Sequence, residues 1–145
     1  MAGSVNEVAE LLRAHVAAQD WGAVAVRVER THLPLLDCKD LSTTQCRVTV
    51  VGKTVETEII TRGGPFSKVV TVDVGLRALA EDDSNEKIDP WVDFAEAFGD
   101  FYLHGPRIGD WSCIATEVTA LSMEALASEH QVLIVVSMQW RRVKR

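Results

Sequence analysis

The spacing of apolar positions changes several times along the chain, and each change marks an element. The clearest helical stretch runs from Asp89 to Leu103, where Trp91, Phe94, Ala95, Phe98, Phe101 and Tyr102 recur every three or four residues. That spacing gathers them on one face and leaves Asp93, Glu96 and Asp100 largely outside it. Asp89 reads as the N-cap and Pro90 as the first helical residue, a position that needs no amide donor. His104-Gly105-Pro106 stops the helix. Most of the aromatic side chains sit here. Each large one is worth about 1.5–3 kcal/mol when fully buried, so this helix is expected to anchor the core. Gly99 in its interior costs about 1 kcal/mol relative to Ala and implies a close neighbour.

A first helix is expected from about Val5 to Gln19. Ser4-Val5-Asn6-Glu7 has the capping-box pattern, and Val5, Val8, Leu11, Leu12 and Val16 follow at helical spacing. Elsewhere the period is two. Val24, Val26 and Val28 alternate with Ala25, Arg27 and Glu29 in a first strand. Gln45 to Val51 forms a second, Gly52-Lys53 a turn or bulge, and Thr54 to Ile60 a less regular strand-like segment. Thr61 to Pro65 connects to the clearest strand, Phe66 to Leu76. There Phe66, Val70, Val72, Val74 and Leu76 share one face, and Val69, Thr71, Asp73 and Arg77 the other. Trp111 to Met123 alternates loosely, and Val132, Ile134, Val136, Met138 and Trp140 share a face of the last strand. The order is helix, strand, strand, strand, helix, strand, strand. It predicts one α+β domain spanning residues 1–145, a mainly antiparallel β-sheet flanked by two helices. The glycine-containing region 52–65 reads as a flexible arm or loop, ordered on assembly.

Composition narrows the function classes. The chain has 145 residues, 47% of them hydrophobic, enough for a real core. No apolar run reaches the length of a membrane span. No basic region followed by an apolar run opens the chain, so synthesis in a reducing cytoplasm is expected, with Cys38, Cys46 and Cys113 as free thiols. The net charge of −6 disfavours general nucleic-acid affinity. The charge is unevenly spread. Glu81, Asp82, Asp83, Glu86, Asp89, Asp93, Glu96 and Asp100 face a single base, Lys87, within one stretch, whereas Arg141, Arg142, Lys144 and Arg145 crowd the end. Such asymmetry suits either head-to-tail contacts between copies or a solvated loop and a frayed tail.

Motifs for catalysis are scarce. There is no phosphate-binding glycine loop with its lysine and no nucleophile elbow. His15, His32, His104 and His130 lack metal spacing, and no cofactor or metal is predicted. A nucleophile pair of Cys46 or Cys113 with His104 or His130 is the enzyme alternative; the competing reading makes both cysteines small apolar strand residues. Asp82, Asp83 and Glu86 carry carboxylates of the kind calcium takes, outside any EF-hand pattern. Trp21, Trp91, Trp111 and Trp140 are better explained by packing than as a sugar or base platform.

The ordered pattern resembles the tail terminator proteins of long-tailed bacteriophages. The stretches that carry the likeness are Val8-Ala9-Glu10-Leu11-Leu12 in the first helix, Glu58-Ile59-Ile60-Thr61-Arg62 before the long strand Lys68 to Gly75, Ile88-Asp89-Pro90-Trp91-Val92 opening the central helix, and Met138-Gln139-Trp140-Arg141 near the end. The Cys38–Cys46 connection and the basic end depart from the pattern. The resemblance implies a structural virion protein of the tail or neck, made in the host cytoplasm, with no active site. Its copies form a ring, usually of six, on the tail tube protein. The ring ends tube growth, joins the tail to the head-side connector or head-closure protein, and leaves a lumen through which DNA passes without sequence-specific binding. Glu81, Asp82, Asp83, Glu86, Arg62, Arg141, Arg142, Lys144 and Arg145 are the candidate interaction surface. Another neck component, such as a head-closure or connector protein, fits the same signals, and a monomeric binding domain is the third alternative.

Overall fold

A computed structural model describes residues 3–21, 25–30, 45–59, 66–79, 85–103, 105–119 and 131–144. The elements run in the expected order: α1 (Ser4–Ala18), β1 (Ala25–Arg30), β2 (Gln45–Ile59), β3 (Phe66–Leu79), α2 (Asn85–Leu103), β4 (Ser112–Thr119) and β5 (Gln131–Lys144). The strands form a single sheet in the order β1-β2-β3-β5-β4. The β2–β3, β3–β5 and β5–β4 pairs are antiparallel, while β1 runs parallel to β2. This is the α+β architecture with a mainly antiparallel sheet.

Both helices pack on one face of the sheet, α1 over β1, β2 and β3, and α2 over β4 and β5. Strand alternation decides what they cover. Val48 and Val50 of β2, Val70, Val72, Val74 and Leu76 of β3, and Val132, Ile134, Val136, Met138 and Trp140 of β5 all point towards the helices and are buried. From α1 they meet Val8, Leu12 and Val16, and from α2 Ala95, Phe98 and Tyr102. Trp91, Phe94 and Phe101 flank this core half-buried, and Trp21 closes it, its ring 5.1 Å from Phe98 and 5.4 Å from Phe101. Trp21 Nε1 donates to the carbonyl of Val16 at 3.0 Å, which fixes the chain just beyond α1. Trp111 and Trp140 are fully buried, as expected of packing residues.

Several local expectations change. α2 begins at Asn85, so Pro90 lies inside the helix and Asp89 is not its cap. Pro90 is the sixth residue of α2, so its missing amide forfeits the hydrogen bond that this position would otherwise give to the carbonyl of Glu86. α1 is capped from Gly3 with no side-chain hydrogen bond. Ser4 is already helical, and its hydroxyl accepts from Lys68 Nζ at 3.5 Å. The region 52–65 is not an arm throughout. Residues 52–59 continue β2, paired with β3 from Val72 to Phe66 past a bulge between Gly52 and Thr54, and residues 60–65 lie outside the described residues. The bulge absorbs the break in alternation at Gly52-Lys53 that made the segment look irregular. A second bulge, between Cys113 and Ala115, accounts for the loose alternation of β4.

Two glycines respond oppositely to a methyl group. A Cβ on Gly99 would lie 3.5 Å from Thr116 Oγ1 and Val136 Cγ1, ordinary contact distances. Gly99→Ala is therefore expected to stabilise the fold by about 0.5–1 kcal/mol, the helix-interior penalty of glycine. A Cβ on Gly52 would collide with Val5 Cγ1 of α1, a stiff β-branched side chain. Gly52→Ala is expected to cost about 1–3 kcal/mol. Urea midpoints of the two variants check both signs; a destabilising Gly99→Ala would mean that α2 sits closer to β4 and β5 than these distances allow.

Candidate interaction surfaces

Of the predicted surface residues, Glu81, Asp82, Asp83, Arg62 and Arg145 lie outside the described residues. Glu86 falls in the first turn of α2. The acidic character continues along α2: Asp89, Asp93, Glu96 and Asp100 are exposed and recur every three or four residues, so the side of the helix away from the sheet carries a single sign.

The basic end does not act as one patch. β5 extends to Lys144, and strand alternation sends consecutive side chains to opposite faces. Arg141 is exposed on the face away from the helices. Arg142 points under α1. Its guanidinium stacks 4.6 Å from the centre of the Trp111 ring and its Nη1 lies 3.5 Å from Glu7 Oε2, leaving the side chain 13% exposed. Lys68, its cross-strand partner, reaches Ser4 on the same face. The reading of Arg142 as part of a free basic tail is thus corrected. It is a packing residue that joins the end of β5 to the start of α1 through a cation–π contact and an ion pair. Residue count along a tail cannot reveal this, because the tertiary fold brings Glu7 and Trp111 to it.

The sheet face opposite the helices is polar and ionic. Arg27 of β1, Arg47 of β2 and Arg77 of β3 stand in one cross-strand row. Glu29 binds the first two, at 3.7 Å from Arg27 Nε and 3.2 Å from Arg47 Nη2. Further along, Asp73 lies 3.5 Å from Lys53 Nζ and accepts from the Ser137 hydroxyl at 2.7 Å. Sequence reasoning passed over this lattice, although the alternation of Arg27 with Val26 and Val28 was its signal.

Cys46 and Cys113 are placed as core atoms, and Cys38 lies outside the described residues. Cys46 is 1% exposed, beneath Val26 and Val48, and Cys113 is buried beside Trp140. Burial pushes the Cys46 thiol up to about 12 and that of Cys113 up to about 11, so neither is a thiolate at neutral pH. His104 and His130 lie outside the described residues. His15 shares a hydrogen bond with the Tyr102 hydroxyl at 2.9 Å, inside the α1–α2 contact. Among the described residues there is no cluster of three metal-ligating side chains, and no helix long and apolar enough to cross a membrane.

The described residues with large apolar side chains left exposed are Val55 of β2 and Ile114 and Val118 of β4. All three lie along the two margins of the sheet. Comparison with family models and with curated proteins returns no match for this sequence.

Proposed function

We propose that this chain is a structural protein of a tailed virus that forms a ring on the end of the tail tube, ends tube polymerisation and seats the head-side connector, with a lumen for DNA. The observation that carries this reading is the order of elements, helix, strand, strand, strand, helix, strand, strand, on which the resemblance to tail terminators rests. The distribution of surface character supports it. A ring subunit needs two dissimilar surfaces, because each copy meets its two neighbours differently. This subunit has an acidic outer helix face and an ionic sheet face on opposite sides, and apolar side chains exposed at two separate sheet margins. The thiol-enzyme alternative draws no support from Cys46 and Cys113, whose burial holds both protonated. A head-closure or connector role, another neck component with a small sheet-based fold and acidic character, is the alternative within the same class.

The test is the mass of the purified protein and its appearance by negative-stain electron microscopy, with and without tail tubes. The expected result is a ring of about six copies, free or as a cap at one tube end, that halts further growth. A monomer that neither caps the tubes nor limits their length overturns the reading. Reversing Glu81, Asp82 and Asp83 to lysine then asks what the acidic loop does. Unchanged rings and unchanged DNA passage would remove it from both the interface and the lumen.

A further inference from the structure

The two margins of the sheet are stepped, and the steps are complementary. Among the described residues, β1 pairs only with Gln45–Val50 of β2, and the stretch from Val51 to Ile59 has no neighbour on that side. At the opposite margin, again among the described residues, β4 pairs only with Val135 to Arg141 of β5, and the start of β5 has no neighbour there. Register through β3 puts both steps on one scale. Arg27 of β1 is level with Arg47, Arg77 and Leu133, and Arg30 with Val50, Val74 and Val136. β1 therefore fills the level of β5 up to Val136, and β4 fills the level from Val135 upward.

We infer that β4 of one copy enters the step beside the second half of β2 in the next copy, so that the sheet continues from subunit to subunit; this rests on the ring reading above and specifies its contact. Four features of the molecule favour a second copy as the occupant. First, the overlap of the two steps is only the two levels Val135 and Val136, so a slip of two residues lets β1 of the next copy sit below β4 in the same column. Second, β4 runs opposite to β2, so the new pair is antiparallel, the commoner and slightly more stable arrangement. Third, with that slip Thr116 stands opposite Val55, and Val118 becomes the diagonal neighbour of Val55 on the helix-bearing side. These valines are 46% and 38% exposed in the single chain, and the contact would cover them. Fourth, Glu117 comes level with Thr54, beside Lys53, and both charges lie on the ionic face. Lys53 is 59% exposed and Glu117 is exposed, so an ion pair across the joint costs little desolvation. Strand edges left open in this way invite pairing with another chain, and a ring uses that tendency while closing it off.

The test uses the full chain on tail tubes, where assembly is read as capped tube ends and as ring mass. Lys53→Glu and Glu117→Lys are each expected to raise the concentration needed for assembly by roughly tenfold, and the double exchange to restore it. Folding of each variant is checked by its thermal midpoint, which should not move because both positions are exposed. In a Cys38→Ser background, Val55→Cys and Val118→Cys are joined by a short bis-maleimide. The two single variants mixed should give dimers only, and the chain carrying both should give a ladder up to the full ring. If wild-type rings form but the charge exchanges leave assembly unchanged and no cross-link appears, the joint is overturned and the ring reading stands. If the wild type forms no rings on tubes, both fall.

Discussion

Replacing Trp140 with alanine is expected to remove about 3–5 kcal/mol of stability, a large share of the 5–15 kcal/mol typical of a domain. Trp140 is fully buried towards the end of β5, on the sheet face that the helices cover. It stands opposite Val70 on one side and Cys113 on the other, and under the ring of Tyr102 at 5.8 Å. Removing the indole would leave a cavity between β5 and α2 that rigid neighbours on three strands cannot collapse into. Trp140→Phe is expected to cost far less, about 1–2 kcal/mol, because it keeps an aromatic ring against Tyr102 and discards an indole N–H that has no acceptor among the described residues. Urea denaturation of both variants checks the contrast. Equal losses would mean that the indole nitrogen, rather than the ring volume, holds the site together.

Stability is expected to fall steeply above about pH 9. The Cys46 thiol titrates from its ordinary value of 9.0 in the unfolded chain, but only near 12 in the fold, because burial penalises the thiolate. Above pH 9 the folded state therefore holds a proton that the unfolded state has released. Stability is complete below that pH and declines as pH climbs towards the folded value. Cys46 alone removes about 2 kcal/mol by roughly pH 10.5. Cys113, raised from 9.0 to about 11, and Tyr102, raised from 10.0, are both shifted by burial and act in the same direction. Urea midpoints from pH 7.5 to 10.5 should fall progressively, and less steeply in Cys46→Ala. A flat profile would place Cys46 in contact with solvent. The same burial predicts that, in a Cys38→Ser background, disulfide reagents at pH 8 react with the remaining thiols only at the rate of unfolding.

Periodicity in the sequence determined the class of every element and their order. The reason is that helical and strand spacing are local properties of the chain, and a core face must repeat with one period or the other. It also selected the anchor: the aromatic stripe of α2 could be buried only on one side, and Phe98 and Tyr102 are where it is buried. Boundaries were less legible. Pro90 and Asp89 carry the signals of a helix start, yet α2 begins earlier, at Asn85, and runs through Pro90 with the loss of one backbone hydrogen bond. Region 52–65 read as a loose arm because a bulge at Gly52 shifts the alternation, and pairing with β3, invisible in one segment alone, keeps its first part in the sheet.

The tertiary structure alone decided how charge is grouped. Consecutive basic residues at the end of β5 part company, Arg141 outward and Arg142 onto Trp111 and Glu7, because a strand turns each neighbour to the other face. Arg27, Arg47 and Arg77, far apart in sequence, align across three strands because register is set by pairing. The two stepped margins belong to the same category. Strand length can be guessed from a sequence, but which neighbour covers which half of a strand depends on the order β1-β2-β3-β5-β4, and no local pattern encodes that order.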